Sequence, residues 1–395
     1  MIRRDITDHL ISLARQFSAI AVMGPRQSGK TTLVKETFPD YEYVTLENID
    51  ERRSAQEDPR DFLARHSHKK GVIFDEIQEV PELLSYMQGI IDAEYRPGFF
   101  ILTGSQHFLM YEKITQTLAG RIALLTLLPL SVNELKNVNL LANNCEDVLL
   151  KGFYPGLYAH DINVTQWCIN YIGTYVEKDV RQVLGISDVV TFQRFLKLCA
   201  ARVGNLVNYS DLARDCDISP NTAKAWLSVL ETSFIIKLLY PYYKNYNKRV
   251  IKSPKLYFYD SALVCSLLNI RTVEDLSFHP IRGPLFESFA VSELFKYYFN
   301  HNDQPSLYFW RDAQGHEIDI IVEKIFGTVM PIEIKARKTV TDEFFKGLAD
   351  WSIITDQANI PSYVIYNGEQ IQRRKKGNLF PWNEIEKLME EIYNG

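Results

Sequence analysis

The stretch IAVMGPRQSGKTT, Ile20 to Thr32, decides how the N-terminal third folds. Ile20 to Met23 read as a short buried strand, and GPRQSGKTT then gives G-x-x-x-x-G-K-T in full, followed by a helix through Thr37. Glycine lets the backbone curl so that successive N–H groups face phosphate oxygens, and the helix adds its positive N-terminal end. The spacing predicts nucleotide binding by Gly24, Pro25, Arg26, Gln27, Ser28, Gly29, Lys30, Thr31 and Thr32. Lys30 is expected to reach the β/γ-phosphates of ATP, and Thr31 to give a hydroxyl to Mg²⁺.

Working outward, GVIFDEIQ (Gly71 to Gln78) is an apolar strand ending in Asp75 and Glu76. Asp75 is expected to hold Mg²⁺ through water and Glu76 to polarise the attacking water. FFILTGSQ (Phe99 to Gln106) is another buried strand, ending in Thr103, Gly104 and Ser105, with Ser105 taken as a contact to the γ-phosphate or the water. In LAGRIALLTL (Leu118 to Leu127), Arg121 precedes a fifth strand and is a candidate arginine finger, in its own or a neighbouring subunit. Strands near 20–23, 43–46, 72–75, 99–103 and 122–127, with helices between, predict a parallel α/β sheet with ligands at the strands' carboxyl ends.

With these segments in view, GPRQSGKTT, IFDEIQEVPELL, FILTGS and LAGR followed by LPLSVNEL resemble the AAA-type P-loop ATPase family of bacteria and archaea that carries a C-terminal domain of unknown function. YPYYKN, KSPKLYFYDSAL and the EIDIIVE–PIEIK stretch extend the likeness over nearly the whole chain. The resemblance implies an ATPase domain at 1–130, a helical region at 131–255 and a further domain at 256–395.

Asn208 to Asn245 read as a helix-turn-helix with a following strand. Ser210 is expected to cap a helix over Asp211 to Cys216, and Ser219 the next helix with Pro220 at its first position. Ser233 to Tyr240 would form the strand of a wing. No acid occurs between Glu231 and Asp260, and tyrosines interleave with the lysines there. Lys224, Lys244, Lys248, Arg249 and Lys252 are therefore candidate nucleic-acid contacts, although the helix offers few side chains that read base edges. A protein-docking module is the other reading.

HEIDIIVEKIFGTVMPIEIK, His316 to Lys335, places an acid in one apolar run and an acid and a lysine in the next. Alternation puts Glu317 and Asp319 on one face and Ile318, Ile320 and Val322 on the other, while Glu333 and Lys335 share a face of the neighbouring strand. The D-x(n)-E-x-K order resembles the PD-(D/E)xK nuclease superfamily, a restriction-endonuclease-like α/β fold that also places an acid on a preceding helix. The resemblance makes Glu287 the candidate, since helical geometry alone does not choose it over Glu293. Asp319, Glu333 and Glu287 would hold a second Mg²⁺ or Mn²⁺ and Lys335 would orient water or stabilise charge on phosphate, with Arg311 and His316 nearby in sequence.

The chain has 395 residues, 46% apolar and 24% charged, with a net charge of −5, so contact with nucleic acid has to be local and no global basic field recruits it. Its five cysteines form no C-x-x-C pair, which argues against a zinc ribbon or disulfide framework and leads to the expectation of a reduced, cytoplasmic protein. No apolar run approaches membrane-spanning length, so no membrane partner is expected. Two readings remain: an ATPase whose nucleotide state controls a winged-helix and nuclease-like region on DNA, or a nucleotide-gated protein-interaction switch with an inactive C-terminal domain. A trans arginine finger would require a homo-oligomer.

Overall fold

The computed structural model describes residues 2–105, 116–176, 188–242, 253–324, 327–356 and 360–394. The N-terminal unit is a five-stranded parallel sheet of β1 (Ala19–Gly24), β2 (Glu42–Thr45), β3 (Val72–Asp75), β4 (Phe100–Ser105) and β5 (Ile122–Thr126), in the order β2-β3-β4-β1-β5. All five were expected from the apolar runs. β1 is buried at every position because apolar layers cover both faces. Ala19, Ala21 and Met23 pack under the helices Ile49–Glu57, Pro59–His66 and Leu83–Ala93, and Ile20 and Val22 under Thr7–Ala14 and Lys30–Thr37. This order seats β4 between β1 and β3, so the Thr103–Ser105 end lies between the phosphate loop and Asp75.

The helices Val189–Ala201, Tyr209–Cys216 and Pro220–Thr232 follow. β6 (Ile236–Leu239) and β7 (Lys255–Phe258) then form an antiparallel pair. Ser219 accepts from the Thr222 amide, as expected, but the preceding helix starts at Tyr209. Its cap is Asn208, whose side chain satisfies both the Ser210 and the Asp211 amides, so Ser210 is not the cap. The strand expected over Ser233 to Tyr240 is shorter, because Phe234 takes a left-handed turn (φ 56°) on leaving the helix. Lys244, Lys248, Arg249 and Lys252 lie outside the described residues.

The last unit is a mixed sheet of β8 (Leu307–Arg311), β9 (Glu317–Glu323), β10 (Val329–Lys335), β11 (Tyr363–Tyr366), β12 (Gln372–Arg374) and β13 (Gly377–Pro381), in the order β12-β13-β11-β10-β9-β8. The β8–β9 and β9–β10 pairs are antiparallel, and β10, β11 and β13 run parallel. The helices Arg282–Asn300 and Lys346–Thr355 pack on this sheet. One hydrophobic core runs without a break from Leu128 to Ile392. The expected boundary at 255/256 falls inside β7, which belongs with β6, and residues on both sides of it feed that same core.

Candidate functional site

The phosphate loop is held from outside as well as by its own glycines. A Cβ on Gly24 would come within 2.1 Å of the Leu127 carbonyl oxygen, so the strand-to-loop turn admits only glycine without a shift. Gly29 caps the Lys30–Thr37 helix with φ 93°, in the left-handed region. Lys30 Nζ, buried, donates to the carbonyls of Gly24 (3.1 Å) and Pro25 (2.8 Å) and so lies within the loop it is expected to serve. Arg4 donates from Nη1 to the Ser28 carbonyl (2.8 Å) and from Nη2 to the Leu128 carbonyl (2.7 Å), while its Nε is paired with Glu134 (2.8 Å). Tyr171, from the middle unit, donates to the Arg26 carbonyl at 3.2 Å.

Asp75 is the hub of the site. The Thr31 hydroxyl lies 3.1 and 3.0 Å from its two oxygens, Tyr43 donates at 2.6 Å, and Thr103 donates as well. The Tyr43 hydroxyl is pushed well above its ordinary pKa, first by burial and then by Asp75, so it remains a donor. A carboxylate beside a threonine hydroxyl at the mouth of a phosphate loop is an all-oxygen donor set that fits Mg²⁺. The groups that would hold the ion are Thr31 and Asp75, where it would neutralise charge on the phosphates.

Glu76 takes a left-handed conformation (φ 57°), unusual for glutamate and a local strain. That turn aims its carboxylate back across the strand ends, where it accepts from Gln78 and from the Ser105 amide at 3.4 Å. Gln78 also donates to the Ser105 hydroxyl at 3.2 Å. A Cβ on Gly104 would meet Gln78 Oε1 at 2.6 Å, so the glycine is what lets Gln78 bridge Glu76 and Ser105. Lys30, Thr31, Asp75, Glu76 and Ser105 thus gather at the carboxyl ends of β1, β3 and β4.

Arg121 does not join them. It precedes β5 at the end where Ile122 pairs with Ala19, the amino end of β1, and its Nε is bound to Asp92 at 2.5 Å. The separation follows from parallel pairing: a residue before one strand lies opposite the end from which its neighbour's loop emerges. A role at this chain's own nucleotide is corrected by that placement. Arg4, Tyr43, Gln78 and Tyr171 were not singled out from sequence. Tyr171 lies 145 residues from Arg26, so no local pattern marks that contact, whereas Gln78 is two residues from Glu76 and its place beside that acid was the signal to find.

The second polar cleft, about 480 Å³, is lined by Glu287, Asp319 and Lys335 together with Arg282 and Arg337. β9 and β10 pair from Val329/Glu323 to Ile332/Ile320 and then part, and Asp319 sits where they part. Its carboxylate accepts the Ile334 amide at 2.7 Å, and Lys335 Nζ is 3.9 Å away. Lys335 is also paired with Glu333, which is buried beneath it against Gly347. Of the two helix acids, Glu287 faces this cleft, and Glu293 instead accepts the Val132 amide (2.8 Å) and pairs with Lys296 (2.6 Å).

Strict alternation along β9 fails. An irregularity in its pairing with β8 opposes Tyr308 to Ile321 but Trp310 to Ile318. Ile320 and Val322 therefore pack into the core shared with Arg282–Asn300, while Ile318 and Ile321 pack against Lys346–Thr355.

The acids are engaged by lysines. Lys255 Nζ, itself buried, is paired with Glu287 (2.9 Å) and Glu317 (2.5 Å), and Tyr257 donates to Glu287 at 2.5 Å. Among the described residues no group of three His, Cys, Asp or Glu side chains converges to hold a metal ion. The expected ligand set of Glu287, Asp319 and Glu333 is therefore not assembled, because Glu333 turns toward Gly347 while Glu287 is held by Lys255. Arg311 supports the network through Glu317 (3.3 Å), and exposed His316 is tied to Asp312 (2.7 Å).

Burial, with the Asp319 charge second, pushes Glu287 up to about 7 and Glu333 up to about 8, from 4.5. Folding then favours their protonated forms. The stability they contribute is full below about pH 4.5 and is lost as pH rises through 7 to 8. Lys255 and Lys335, whose pKa values are raised, stay charged throughout. Thermal melts across this range should fall with pH, and Glu333→Gln should flatten the slope and gain relative stability at the alkaline end. An unchanged slope in Glu333→Gln would remove Glu333 from the account.

One family model agrees with the architecture of the N-terminal unit. Residues 16–136 match a family model described as an AAA domain. With the parallel sheet and phosphate loop, this defines the N-terminal third as an AAA-type P-loop ATPase domain, of the ATP-binding class. Residues 142–274 and 282–385 match two models described as domains of unknown function, DUF8612 and DUF4143. Two uncharacterised proteins, from Mycobacterium bovis and Mycobacterium tuberculosis, are each 28% identical over 372 residues, covering 93% of this chain and 80% of theirs. Among solved structures, a Walker-type ATPase of Pyrococcus abyssi matches with a TM-score of 0.46 at 16% identity, over 68% of this chain and 96% of that one. DnaA from Aquifex aeolicus, bound to AMPPCP, matches with a TM-score of 0.31 at 14% identity, over 57% and 85%. Among the described residues no helix is long and apolar enough to cross a membrane.

Proposed function

We propose that this chain is an ATP-hydrolysing switch whose nucleotide state controls a winged-helix and nuclease-like region acting on nucleic acid. The observation that carries the proposal is the helix Arg282–Asn300, which lines the second cleft and is joined to the segment that braces the phosphate loop. Near one end, Lys296 donates to the Leu130 carbonyl (2.8 Å) and Glu293 accepts the Val132 amide (2.8 Å). Glu134, in the same short segment, pairs with Arg4, and Arg4 holds the phosphate loop at Ser28. At its other end the helix places Glu287 in the second cleft. Buried polar contacts thus link the loop to Glu293 and Lys296, and the helix itself carries the link on to Glu287.

The three helices with the β6–β7 pair support the winged-helix reading, and exposed Lys224 on Pro220–Thr232 is the candidate backbone contact within the described residues. A helix before three antiparallel strands, with Asp319 and Lys335 where two of them part, supports the nuclease-like reading. A second reading, a protein-interaction switch with an inactive C-terminal domain, is favoured by the lysines that already engage Glu287 and Glu333. In an assembly of copies, Arg121 would be the residue to act on a neighbour's ATP.

The test is incubation with single-stranded, duplex and branched DNA, Mg²⁺ or Mn²⁺, with and without ATP, beside Asp319→Asn and Lys335→Ala. ATP-dependent cutting lost in both variants is expected if the cleft acts on phosphodiesters. Binding without cutting retains nucleic acid as the partner and sets nuclease chemistry aside. Neither binding nor cutting moves the conclusion to a protein partner.

A further inference from the structure

Residues 335–346 and 372–377 together hold eight lysines and arginines against two acids, in a chain whose net charge is −5. The fold brings the two segments side by side. Lys376 at the β12–β13 turn reaches Asp342 at 2.8 Å, and a groove of about 770 Å³ opens between them, bordered by Lys346, Arg374, Lys375 and Lys376. Glu343 borders both this groove and the cleft that holds Glu287, Asp319 and Lys335. The two depressions are therefore neighbours in series, and Arg337 of the first cleft pairs with Glu343 at their shared border (3.4 Å). Lys346, Arg374 and Lys375 are exposed, and among the described residues none of them makes an ion pair. Arg374 donates to the neutral Gln372 Oε1 (3.1 and 2.6 Å), which leaves its charge uncompensated, so all three charges can meet an external anion.

We propose that this groove seats the backbone of a single nucleic-acid strand and leads it to Asp319 and Lys335. The inference rests on the reading that the C-terminal unit acts on nucleic acid, and it names the path of the strand. A positively charged groove that tracks the backbone is how single strands are held without base readout. The track ends where Lys335 can meet one phosphate, which an acidic peptide or a lipid headgroup would not need.

The test uses the full chain and the double variant Arg374→Glu/Lys375→Glu. Neither residue belongs to the nucleotide site, so ATP turnover and the thermal melt should be unchanged. Binding is read by fluorescence anisotropy of a labelled oligothymidylate of about 20 nucleotides over a range of salt. The double variant should bind at least about tenfold more weakly at low salt. Its log–log salt slope should be shallower by about 1.4, because two phosphates are no longer neutralised and each accounts for roughly 0.7. Arg374→Gln/Lys375→Gln should lie between.

If the parent binds and the double variant binds equally well, while Lys224→Glu abolishes binding, the track is overturned and nucleic acid as the partner survives. If the parent binds no oligonucleotide, both readings fall. Capture by phosphatidylserine vesicles in place of the oligonucleotide, lost in the double variant, would assign the groove to a membrane surface and also overturn the proposal.

Discussion

Replacing Lys30 by alanine should reduce ATP turnover by on the order of 100- to 1,000-fold, the cost of removing one preorganised group aimed at developing charge. The structure adds a reason to expect a loss in turnover beyond weaker binding. Lys30 is buried and bound to the Gly24 and Pro25 carbonyls, so its ammonium sits inside the loop before any substrate charge arrives. The phosphates would exchange those carbonyl contacts for stronger, charge-assisted ones. Arginine is not expected to rescue, because its planar fork cannot occupy the space of a single ammonium. Steady-state hydrolysis with circular dichroism on the same samples checks this. Turnover within about threefold of the parent, in a folded variant, would mean that the loop does not serve phosphate transfer as its motif implies.

Replacing Arg4 by alanine should be the most destabilising single change in the N-terminal unit. Arg4 and Glu134 are almost fully buried and paired at 2.8 Å. Losing one partner strands the other charge together with the Ser28 and Leu128 carbonyls, a cost of about 3–5 kcal/mol. For a unit of this size that lowers the melting temperature by on the order of 10 °C. Glu134 also accepts the Asp5 and Ser131 amides, so Glu134→Ala should be comparably severe. The double variant Arg4→Ala/Glu134→Ala should fall well short of the sum, because no unpaired charge is left. A change of under about 1 kcal/mol in Arg4→Ala would show that water relieves the Glu134 charge, and that the brace is not what fixes the loop.

Lys30 and Arg4 differ in how far the sequence alone reveals them. Lys30 was readable because its partners are local: the motif spans nine residues, and its chemistry depends on the backbone of those residues. Asp75 and Ser105 were readable because parallel strands deliver their carboxyl ends to one edge, so each apolar run announces where its polar end will lie. Arg4 was not readable, since nothing near it in sequence marks a partner 130 positions away. The same limit applies to Lys255, which lies in the acid-free stretch between Glu231 and Asp260 but is buried between Glu287 and Glu317. The face of Ile318 was lost to the irregularity in β9, because period-two reasoning assumes an unbroken ladder and one extra residue reverses it.

The unbroken core from Leu128 to Ile392 has a bearing on how such a chain can be cut and how it can move. A fragment ending near residue 255 would divide β7 and expose apolar surface that its other half covers, so such a fragment should aggregate on expression. The parallel sheet keeps its own two cores, and its last strand ends at Thr126. The few residues from Leu127 to Ser131 are therefore the covalent crossing between those two cores and the one that follows, with Arg4–Glu134 and Tyr171–Arg26 as contacts beside it.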